Sequence, residues 1–167
     1  MTRDANDFYP TPHSILDILI PSLKWPTDNL IWEPCEGDGR VVERLVKDGY
    51  RVVSGDIQTG QDFFEFAEAK SSFLLTNPPF KHIRAFIDHA FSIGVEQMAL
   101  VCPERLWACK KGSDQMKRHR PSKFINLDWR EDYLGKGGTP DRALAISIWN
   151  TPNSSSTAYE VWSRASS

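Results

Sequence analysis

The 167-residue sequence predicts one α/β domain whose mostly parallel sheet ends in an antiparallel strand. Three observations lead to this prediction. Short β-type runs alternate with helical patterns along most of the chain, which favours a sheet covered by helices on both faces. A glycine-containing turn joins the first of these runs to a helix, as in doubly wound sheets of the Rossmann type. The last pair of runs has no helix between its members, and such strands pair antiparallel.

Length and composition set the limits of this domain. The chain has 40% hydrophobic and 25% charged residues, which is typical of a globular protein of ordinary composition. We expect residues 1–150 to form the Rossmann-like domain, with a basic insert at 110–122. Residues 151–167 are expected to form a C-terminal tail, with residues 159–162 as its candidate docking segment. Because no apolar run reaches membrane length and the N-terminus lacks a signal-peptide core, we expect a cytoplasmic protein.

The cysteines and histidines predict no metal site. The three cysteines are odd in number and lack the spacing of metal ligands, so that free thiols are expected. The four histidines are scattered along the chain. His82 and His89 could share one helix face, but a solvated face explains them more simply than a pair of ligands.

The first third of the chain predicts a helix followed by a strand–turn–helix–strand unit. Apolar residues recur at helical spacing over residues 13–23. Residues 30–32 then form a short β-type run, residues 41–47 return to helical spacing, and residues 51–57 form a second strand. A unit of this kind within about 30 residues is the nucleotide-binding βαβ pattern.

The turn after the first predicted strand is a candidate ligand site. Gly37 and Gly39 allow a ligand to approach the backbone, and Asp56, at the tip of the next strand, would accept both hydroxyls of a ribose. Three carboxylates crowd the turn: Glu33, Glu36 and Asp38. They would repel a pyrophosphate and attract a cation, so the turn favours S-adenosylmethionine, with its ammonium and sulfonium groups, over NAD or ATP.

Residues 60–64 predict a third short strand or a turn. Within it, Asp62 would take the amino group of an adenine, and Phe63 would offer its backbone and ring face. A surface acid beside a core phenylalanine fits these two residues equally well. Residues 73–76 then form an unbroken apolar strand, which indicates burial on both faces.

The second half of the chain predicts one more helix and three strands. Residues 83–93 have the apolar spacing of a helix with one core face. Residues 97–102 form the fifth strand, and residues 123–129 and 143–149 form the antiparallel pair. A glycine-rich loop at residues 133–140 joins the members of this pair, at or near the edge where ligands would bind.

The sequence Asn77-Pro78-Pro79-Phe80 directly follows the apolar strand. Two successive prolines lack N–H donors and fix their own φ angles, so the strand ends here. Three groups remain at this corner: the Asn77 amide oxygen, the Pro78 carbonyl and the flat Phe80 ring. They suit a planar group that bears an NH₂. An ordinary proline turn is the simpler interpretation, but the carboxyl ends of parallel strands meet at one edge, which would place the corner beside Gly37 and Asp56.

A basic segment contrasts with the acidic remainder of the chain. Its six cations are Lys110, Lys111, Lys117, Arg118, Arg120 and Lys123. With the single acid Asp114 they give a local charge of +5, and the net charge of −2 then leaves −7 for the rest. Such a segment is compatible with docking on a phosphate backbone, and equally with a solvated loop.

The order of these motifs resembles the class I S-adenosylmethionine-dependent methyltransferases that act on exocyclic amines. Within that group it is similar to the compact adenine-N6 methyltransferases of phages and prophages. The motifs are Tyr9-Pro10-Thr11-Pro12, Glu33-Pro34-x-x-Gly37-x-Gly39, Asp56, Asp62-Phe63 and Asn77-Pro78-Pro79-Phe80. The resemblance spans residues 8–150 and implies a Rossmann-like methyltransferase fold with S-adenosylmethionine as cofactor. It further implies methyl transfer to an amine of nucleic acid, with adenine N6 in DNA preferred.

The resemblance also assigns residues to roles. The cofactor would be held by Tyr9, Thr11, Pro12, Glu33, Pro34, Gly37, Gly39, Asp56, Ile57, Asp62, Phe63 and Asn77. The catalytic corner would consist of Asn77, Pro78, Pro79 and Phe80, and the six cations of residues 110–123 would bind the nucleic acid. Unlike the larger DNA enzymes of this kind, the chain shows no separate target-recognition domain, which leaves the sequence specificity open. Three alternative functions also stay open. They are an adenine-N6 enzyme for RNA, a protein glutamine methyltransferase, and a catalytically silent accessory subunit that binds the cofactor. The protein would be a monomer or a homodimer, without a membrane partner.

Overall fold

The computed structural model describes residues 9–130 and 143–164. Within these ranges the helices are α1 (His13–Leu23), α2 (Arg40–Lys47), α3 (Ile83–Ser92) and α4 (Lys110–Met116). The strands are β1 (Leu30–Glu33), β2 (Arg51–Ser54), β3 (Phe73–Thr76), β4 (Gln97–Pro103), β5 (Lys123–Leu127), β6 (Leu144–Trp149) and β7 (Ala158–Trp162). The predicted loop at residues 133–140 lies outside the described residues.

The described strands form one sheet in the order β2-β1-β3-β4-β6-β5-β7. All neighbours pair in parallel except β6, which is antiparallel to both β4 and β5. The predicted α/β fold, with its mostly parallel sheet and antiparallel strand, is therefore confirmed. After β1 the chain forms β2 on one side and later returns to form β3 on the other side of β1. This reversal creates a switch point between β1 and β3, where ligands of doubly wound sheets bind.

Alternating strand residues supply two hydrophobic cores, one on each face of the sheet. Ile31 and Leu75 belong to the core that includes the buried residues of α1 and α2. Trp32 and Leu74, their neighbours in sequence, belong to the core under α3. Because successive strand residues point to opposite faces, one continuous apolar run serves both cores.

The segment after β2 folds as turns instead of a strand. Two short 3-10 turns, Ile57–Thr59 and Phe63–Glu65, are each capped by the preceding aspartate. Asp56 accepts a hydrogen bond from the Gln58 N–H at 2.9 Å, and Asp62 accepts one from the Phe64 N–H at 3.0 Å. Such local side-chain bonds compete with a sheet ladder, which explains why no strand forms here.

The C-terminal segment contributes the edge strand β7, which pairs in parallel with β5. The predicted docking of residues 159–162 thus takes the form of strand pairing. Trp162 packs against the core on the α1 side, while Tyr159 and Val161 stay 62% and 56% exposed. In the described part of the chain, no helix combines the length and apolarity needed to cross a membrane.

Helix α4 is held against α3 by a buried amide. The Gln115 side chain is 1% exposed and donates hydrogen bonds to the Arg84 carbonyl at 2.8 Å and to Asp88 Oδ1 at 3.2 Å. Gly112 lies so close to the preceding loop that a Cβ atom there would be 2.6 Å from the Leu106 carbonyl oxygen. The start of the basic segment is therefore fixed to the body of the domain.

Candidate functional site

An open, shallow cleft lies beyond the carboxyl end of β1. Its walls come from three separate parts of the chain: the N-terminal segment, the glycine turn with the start of α2, and the residue after β3. The lining residues are Tyr9, Pro10, Thr11, Cys35, Glu36, Gly37, Asp38, Arg40, Val41 and Asn77. The cleft occupies the switch point between β1 and β3, as the strand order requires.

The glycine turn is tied to the end of β2 by one carboxylate. Gly37 and Gly39 have φ angles of 59° and 84°, and Gly39 caps α2 in this left-handed conformation. The Gly37 N–H donates to Asp56 Oδ2 at 3.0 Å, while Asp56 Oδ1 accepts from the Gln58 N–H at 2.9 Å. Asp56 therefore joins the glycine turn to the turn after β2.

Glu33 is completely buried at the end of β1. Its Oε1 accepts hydrogen bonds from the Cys35 N–H at 2.8 Å and from the Thr76 hydroxyl. Its Oε2 has no hydrogen-bond partner among the described residues. Burial, with smaller contributions from the carboxylates of Asp56 and Glu36, raises the pKa of Glu33 to about 8 against the effect of its two hydrogen bonds.

The raised pKa of Glu33 reduces the negative charge that the sequence predicted for the glycine turn, where Glu33, Glu36 and Asp38 were counted together. Glu33 is mostly protonated at neutral pH and carries little negative charge. The attraction for a cation therefore comes from Glu36 and Asp38, which line the cleft. Glu33 instead presents a buried hydrogen-bonding atom, and such unsatisfied atoms are rare in folded proteins away from functional sites.

The corner after β3 places an amide at the rim of the cleft. Asn77 is 8% exposed, and its Nδ2 donates to the Tyr9 carbonyl at 2.8 Å. This bond orients the amide so that Oδ1 is left as an acceptor, without a partner among the described residues. Pro78 is buried beside it, and the Pro79 carbonyl accepts from the His82 N–H at 3.0 Å to start a 3-10 turn. Phe80 is half-buried at the start of this turn.

The N-terminal segment lies between the glycine turn and the corner after β3. Thr11 and Pro12 are buried, and the Pro12 carbonyl accepts the first hydrogen bonds of α1. The Tyr9 ring lies parallel to the Phe80 ring, with 9° between their planes and 6.4 Å between their centroids. Tyr9, Pro10 and Thr11 therefore line the cleft, and Tyr9 lies beside the candidate catalytic corner.

The Asp62–Phe63 pair is placed differently from the expectation. The Phe63 ring is 5% exposed and stacks on Phe86, with 3.9 Å between centroids and 17° between planes. It also contacts the ring of Trp32 at 5.3 Å. Its faces are used in the core, so the expected ring contact with an adenine is not available and only the Phe63 backbone is left for a ligand. Ile57 is half-buried in the turn after Asp56.

Arg40 is a candidate ligand-binding residue that sequence reasoning missed. It begins α2, donates from Nη1 to the Thr11 carbonyl at 3.3 Å and pairs with Asp38 at 2.6 Å. Among the described residues that line the cleft, Arg40 is the only one with a permanent positive charge. The position of Arg40 directly after Gly39, at the start of α2, was the sequence feature that could have indicated this role.

Several cations of the basic segment are paired with nearby carboxylates. Four of them are in ion pairs: Lys110 and Lys117 with Asp114, Arg118 with Asp88, and Lys123 with Glu160. Lys111 is exposed, and the described residues offer it no ion pair. Much of the positive charge that the sequence count suggested is therefore compensated locally.

The basic segment also runs from the side of the sheet where β4 ends to the side where β4 begins. Lys110 and Lys111 follow the carboxyl end of β4, on the side of the cleft. The other end is fixed by Trp149, whose Nε1 donates to the His119 carbonyl at 3.1 Å. Since Trp149 pairs with Met98 near the start of β4, Arg120 lies towards the opposite edge. Lys110 and Lys111 thus follow the carboxyl end of β4, whereas Arg120 lies towards its amino end.

Within the described residues, His, Cys, Asp and Glu side chains form no group of three that could hold a metal ion. No protein-family model and no curated protein matches the sequence. Similarity is found among solved structures. A proposed class I S-adenosylmethionine-dependent methyltransferase from Listeria monocytogenes has a TM-score of 0.64 at 12% identity, and the match covers 99% of this chain and 68% of that one.

Two further structures match the same domain. The modification subunit of a proposed type I restriction enzyme from Vibrio vulnificus has a TM-score of 0.67 at 11% identity. The match covers 89% of this chain but only 46% of that subunit. The 23S rRNA methyltransferase ErmE has a TM-score of 0.59 at 13% identity, with 87% of this chain and 70% of that one covered. At these identities the similarity establishes the fold, which is the Rossmann-like fold of class I methyltransferases.

Proposed function

We propose that this protein transfers a methyl group from S-adenosylmethionine to an exocyclic amine of nucleic acid, with adenine N6 in DNA as the favoured acceptor. One observation carries the proposal: the glycine turn and Asn77 line the same cleft. Cofactor binding and amine binding therefore have a common site at the switch point of a methyltransferase fold. The names of two structural neighbours, a restriction–modification subunit and an rRNA methyltransferase, support nucleic acid as the target class.

The residues of the cleft fit the chemical groups of S-adenosylmethionine. Asp56 would accept the ribose hydroxyls while it holds the glycine turn. Arg40 would pair with the carboxylate of the methionyl part, and Glu36 and Asp38 would attract its ammonium group. The unpartnered Oε2 of Glu33 marks a buried position where a further polar contact would be favourable. When bound, the cofactor supplies an electrophilic methyl group on a sulfonium.

The corner would prepare the amine for this reaction. The N6 lone pair of adenine is delocalised into the ring, which makes the nitrogen a weak nucleophile. Asn77 Oδ1 and the Pro78 carbonyl would accept the two N–H groups and orient the lone pair towards the methyl group. As the C–N bond forms and the C–S bond breaks, both acceptors would stabilise the positive charge growing on nitrogen. The extra proton then leaves to water.

The target base would have to leave its stack to reach Asn77, which costs a few kcal/mol. Stacking on Phe80 would return roughly 1–3 kcal/mol per base. The remaining affinity would come from phosphate contacts of the basic segment, and Lys110 and Lys111, which follow the carboxyl end of β4, would supply them. Binding should therefore weaken as the salt concentration rises.

The test is methyl transfer by the purified protein. Labelled S-adenosylmethionine would be incubated with unmethylated DNA, with RNA and with a protein extract, followed by mass spectrometry of the nucleosides. We expect N6-methyladenosine in its deoxy form, and no product from the Asn77→Ala variant although that variant still binds the cofactor. Label found only in RNA or only in protein would select one of the alternative acceptors. Cofactor binding without any transfer would indicate an accessory subunit.

A further inference from the structure

The described sheet has two edge strands, and β7 is the more apolar of the two. It ends the strand order and pairs with β5 on its inner side. The described residues include three exposed large hydrophobic side chains, and two of them, Tyr159 and Val161, belong to β7. The opposite edge strand, β2, has four residues, begins with the charged Arg51 and carries none of the three. A protein that binds at an edge of this sheet would therefore find its apolar contacts at β7.

The backbone of β7 offers hydrogen-bonding groups on its outer side. The Ala158 N–H donates to the Ser122 carbonyl at 2.9 Å, so Ala158 directs its backbone groups to the side of β5. Successive residues of a strand direct their N–H and C=O groups alternately to its two sides. Tyr159 and Val161 therefore each present one donor and one acceptor away from β5.

The sequence of β7 lacks the usual devices that protect a sheet edge. Such edges are commonly blocked by a lysine, a proline or an unpaired charge. The strand Ala158–Trp162 contains neither lysine nor proline. Its one charged side chain, Glu160, pairs with Lys123 at 2.8 Å and accepts a hydrogen bond from the Trp162 Nε1 at 2.8 Å. The charge is compensated within the chain, so the edge can receive a further strand.

We propose that β7 pairs antiparallel with β7 of a second copy of this chain, which joins the two sheets across a twofold axis at Glu160. In this register Tyr159 lies opposite Val161 of the second copy, and the symmetry makes this pair occur on both sides of the axis. Every outer N–H group of these residues then meets an outer carbonyl of the other strand. An aromatic residue opposite a β-branched residue is also a favourable cross-strand pair.

A second copy is the favoured partner because β7 complements itself. Tyr159 and Val161 lie on the face of the sheet that carries Phe124, whose ring centroid is 6.4 Å from that of Tyr159. An axis perpendicular to the sheet keeps this face on the same side in both copies, so that the two apolar patches become one. The two Glu160 carboxylates would meet at the axis, but the ion pair of each with Lys123 reduces their repulsion. Because the paired strands are short, we expect a weak dimer that depends on concentration.

The interface would leave both clefts accessible. Strands β3, β4, β6 and β5 separate β7 from β1, which corresponds to about 24 Å at the usual strand spacing. Antiparallel pairing directs the carboxyl ends of β1 in the two copies to opposite edges of the joined sheet. The inference goes beyond the proposed function and does not depend on it, because the dimer can be measured without cofactor or nucleic acid.

The first test is sedimentation of the purified protein at about 5 to 500 µM, where we expect a reversible monomer–dimer equilibrium. Val161→Pro removes an outer N–H that β5 does not use, and should weaken the dimer about tenfold or more. Val161→Lys keeps the N–H but adds a charge, and should have the same effect if the proline variant does not fold. Val46→Lys, at the exposed hydrophobic position of α2, is the matched control and should dimerise as the wild type does. A wild type that stays monomeric, or equal weakening by Val46→Lys and Val161→Lys, would overturn the proposal.

The second test checks the register by a disulfide. Across the proposed axis the two Glu160 residues form a pair without hydrogen bonds, with their Cα atoms about 4.5 Å apart, which a disulfide can bridge. Glu160→Cys should therefore give a covalent dimer on mild oxidation, and adding Val161→Lys should suppress it. Ser163→Cys is the control, because six residues of strand, about 20 Å, would separate the equivalent positions. The wild type controls for links through its own cysteines. Equal linkage of Ser163→Cys and Glu160→Cys, or none by Glu160→Cys, would refute this pairing.

Discussion

Glu33 should make the stability of this protein fall as the pH rises from about 5 to 8. Its carboxyl group is fully buried, and burial raises its pKa from the ordinary 4.5 to about 8. Between these two values the folded state binds a proton that the unfolded state has already released. Stability therefore decreases with rising pH across this window and becomes constant above it. The substitution Glu33→Gln, which keeps the shape but cannot ionise, should remove this dependence.

The magnitude follows from the size of the shift. One pKa unit corresponds to 1.36 kcal/mol, so a shift from 4.5 to about 8 gives a loss on the order of 5 kcal/mol between acid and alkaline limits. This is an upper limit, because water entry and relaxation reduce the cost of a buried charge. It is nevertheless a large part of the roughly 5–15 kcal/mol by which domains are stable.

The assay is urea unfolding at pH 5, 6, 7 and 8 for the wild type and Glu33→Gln. The quantity of interest is the difference in unfolding free energy between the two proteins, since other carboxylates titrate equally in both. Glu43→Gln, at an exposed position of α2, is the control and should follow the wild type. Cys102, whose pKa burial raises to about 12, affects stability only at higher pH. Parallel curves for the wild type and Glu33→Gln would refute the reasoning.

Three further predictions concern the cofactor, the packing of α4 and the nucleic acid. Arg40→Gln should weaken S-adenosylmethionine binding in calorimetry on the order of tenfold or more, through loss of a charge-assisted hydrogen bond. Gly112→Ala should lower the Tm, because overpacking costs about 1–3 kcal/mol and outweighs the gain in helix propensity of about 1 kcal/mol. Replacing both Lys110 and Lys111 by glutamine should reduce the salt dependence of DNA binding, with a change in the log–log slope of about 1–2.

Each of these predictions has a matched control. Arg44→Gln is the control for Arg40→Gln, and Ser113→Ala is the control for Gly112→Ala. The double replacement of Arg120 and Lys123 by glutamine is the control for that of Lys110 and Lys111. Arg44 is on the same helix as Arg40 but does not line the cleft. Its side chain pairs with Asp17 and Asp48. Equal effects of a substitution and its control would contradict the corresponding prediction.

The fold was predictable because its signals are local. Helices α1 and α3 follow from apolar spacing, and β3 follows from an unbroken apolar run that ends at two prolines. β6 was expected to be antiparallel because no helix separates it from β5. Edge strand β7 was predicted only as a candidate docking segment, since its pairing depends on a partner more than 30 residues away.

The site was predictable where chain order alone brings residues together. The carboxyl ends of β1 and β3 meet because the strands are parallel neighbours, so Gly37 and Asn77 were expected to share an edge. The position of the Phe63 ring was not predictable from the sequence. An acid followed by an aromatic residue occurs both where the ring contacts a ligand and where it packs in the core, as Phe63 does against Phe86. The ion pairs of Arg118 with Asp88 and of Lys123 with Glu160 likewise join distant residues, which a local count of charges does not capture.

The switch point explains why a buried carboxyl stands at the end of β1. Strands β1 and β3 pair only through Ile31 and Trp32, opposite Phe73 and Leu74, and the crevice opens beyond these pairs. Beyond the last β1–β3 pair, the Glu33 side chain takes over the connection between the two strands. Its Oε1 accepts hydrogen bonds from the Cys35 N–H and from the Thr76 hydroxyl. One carboxyl thus connects the start of the glycine turn to the residue before Asn77. A change at Glu33 should therefore affect cofactor binding and amine positioning together, whereas changes at Asp56 or Asn77 should affect one of them.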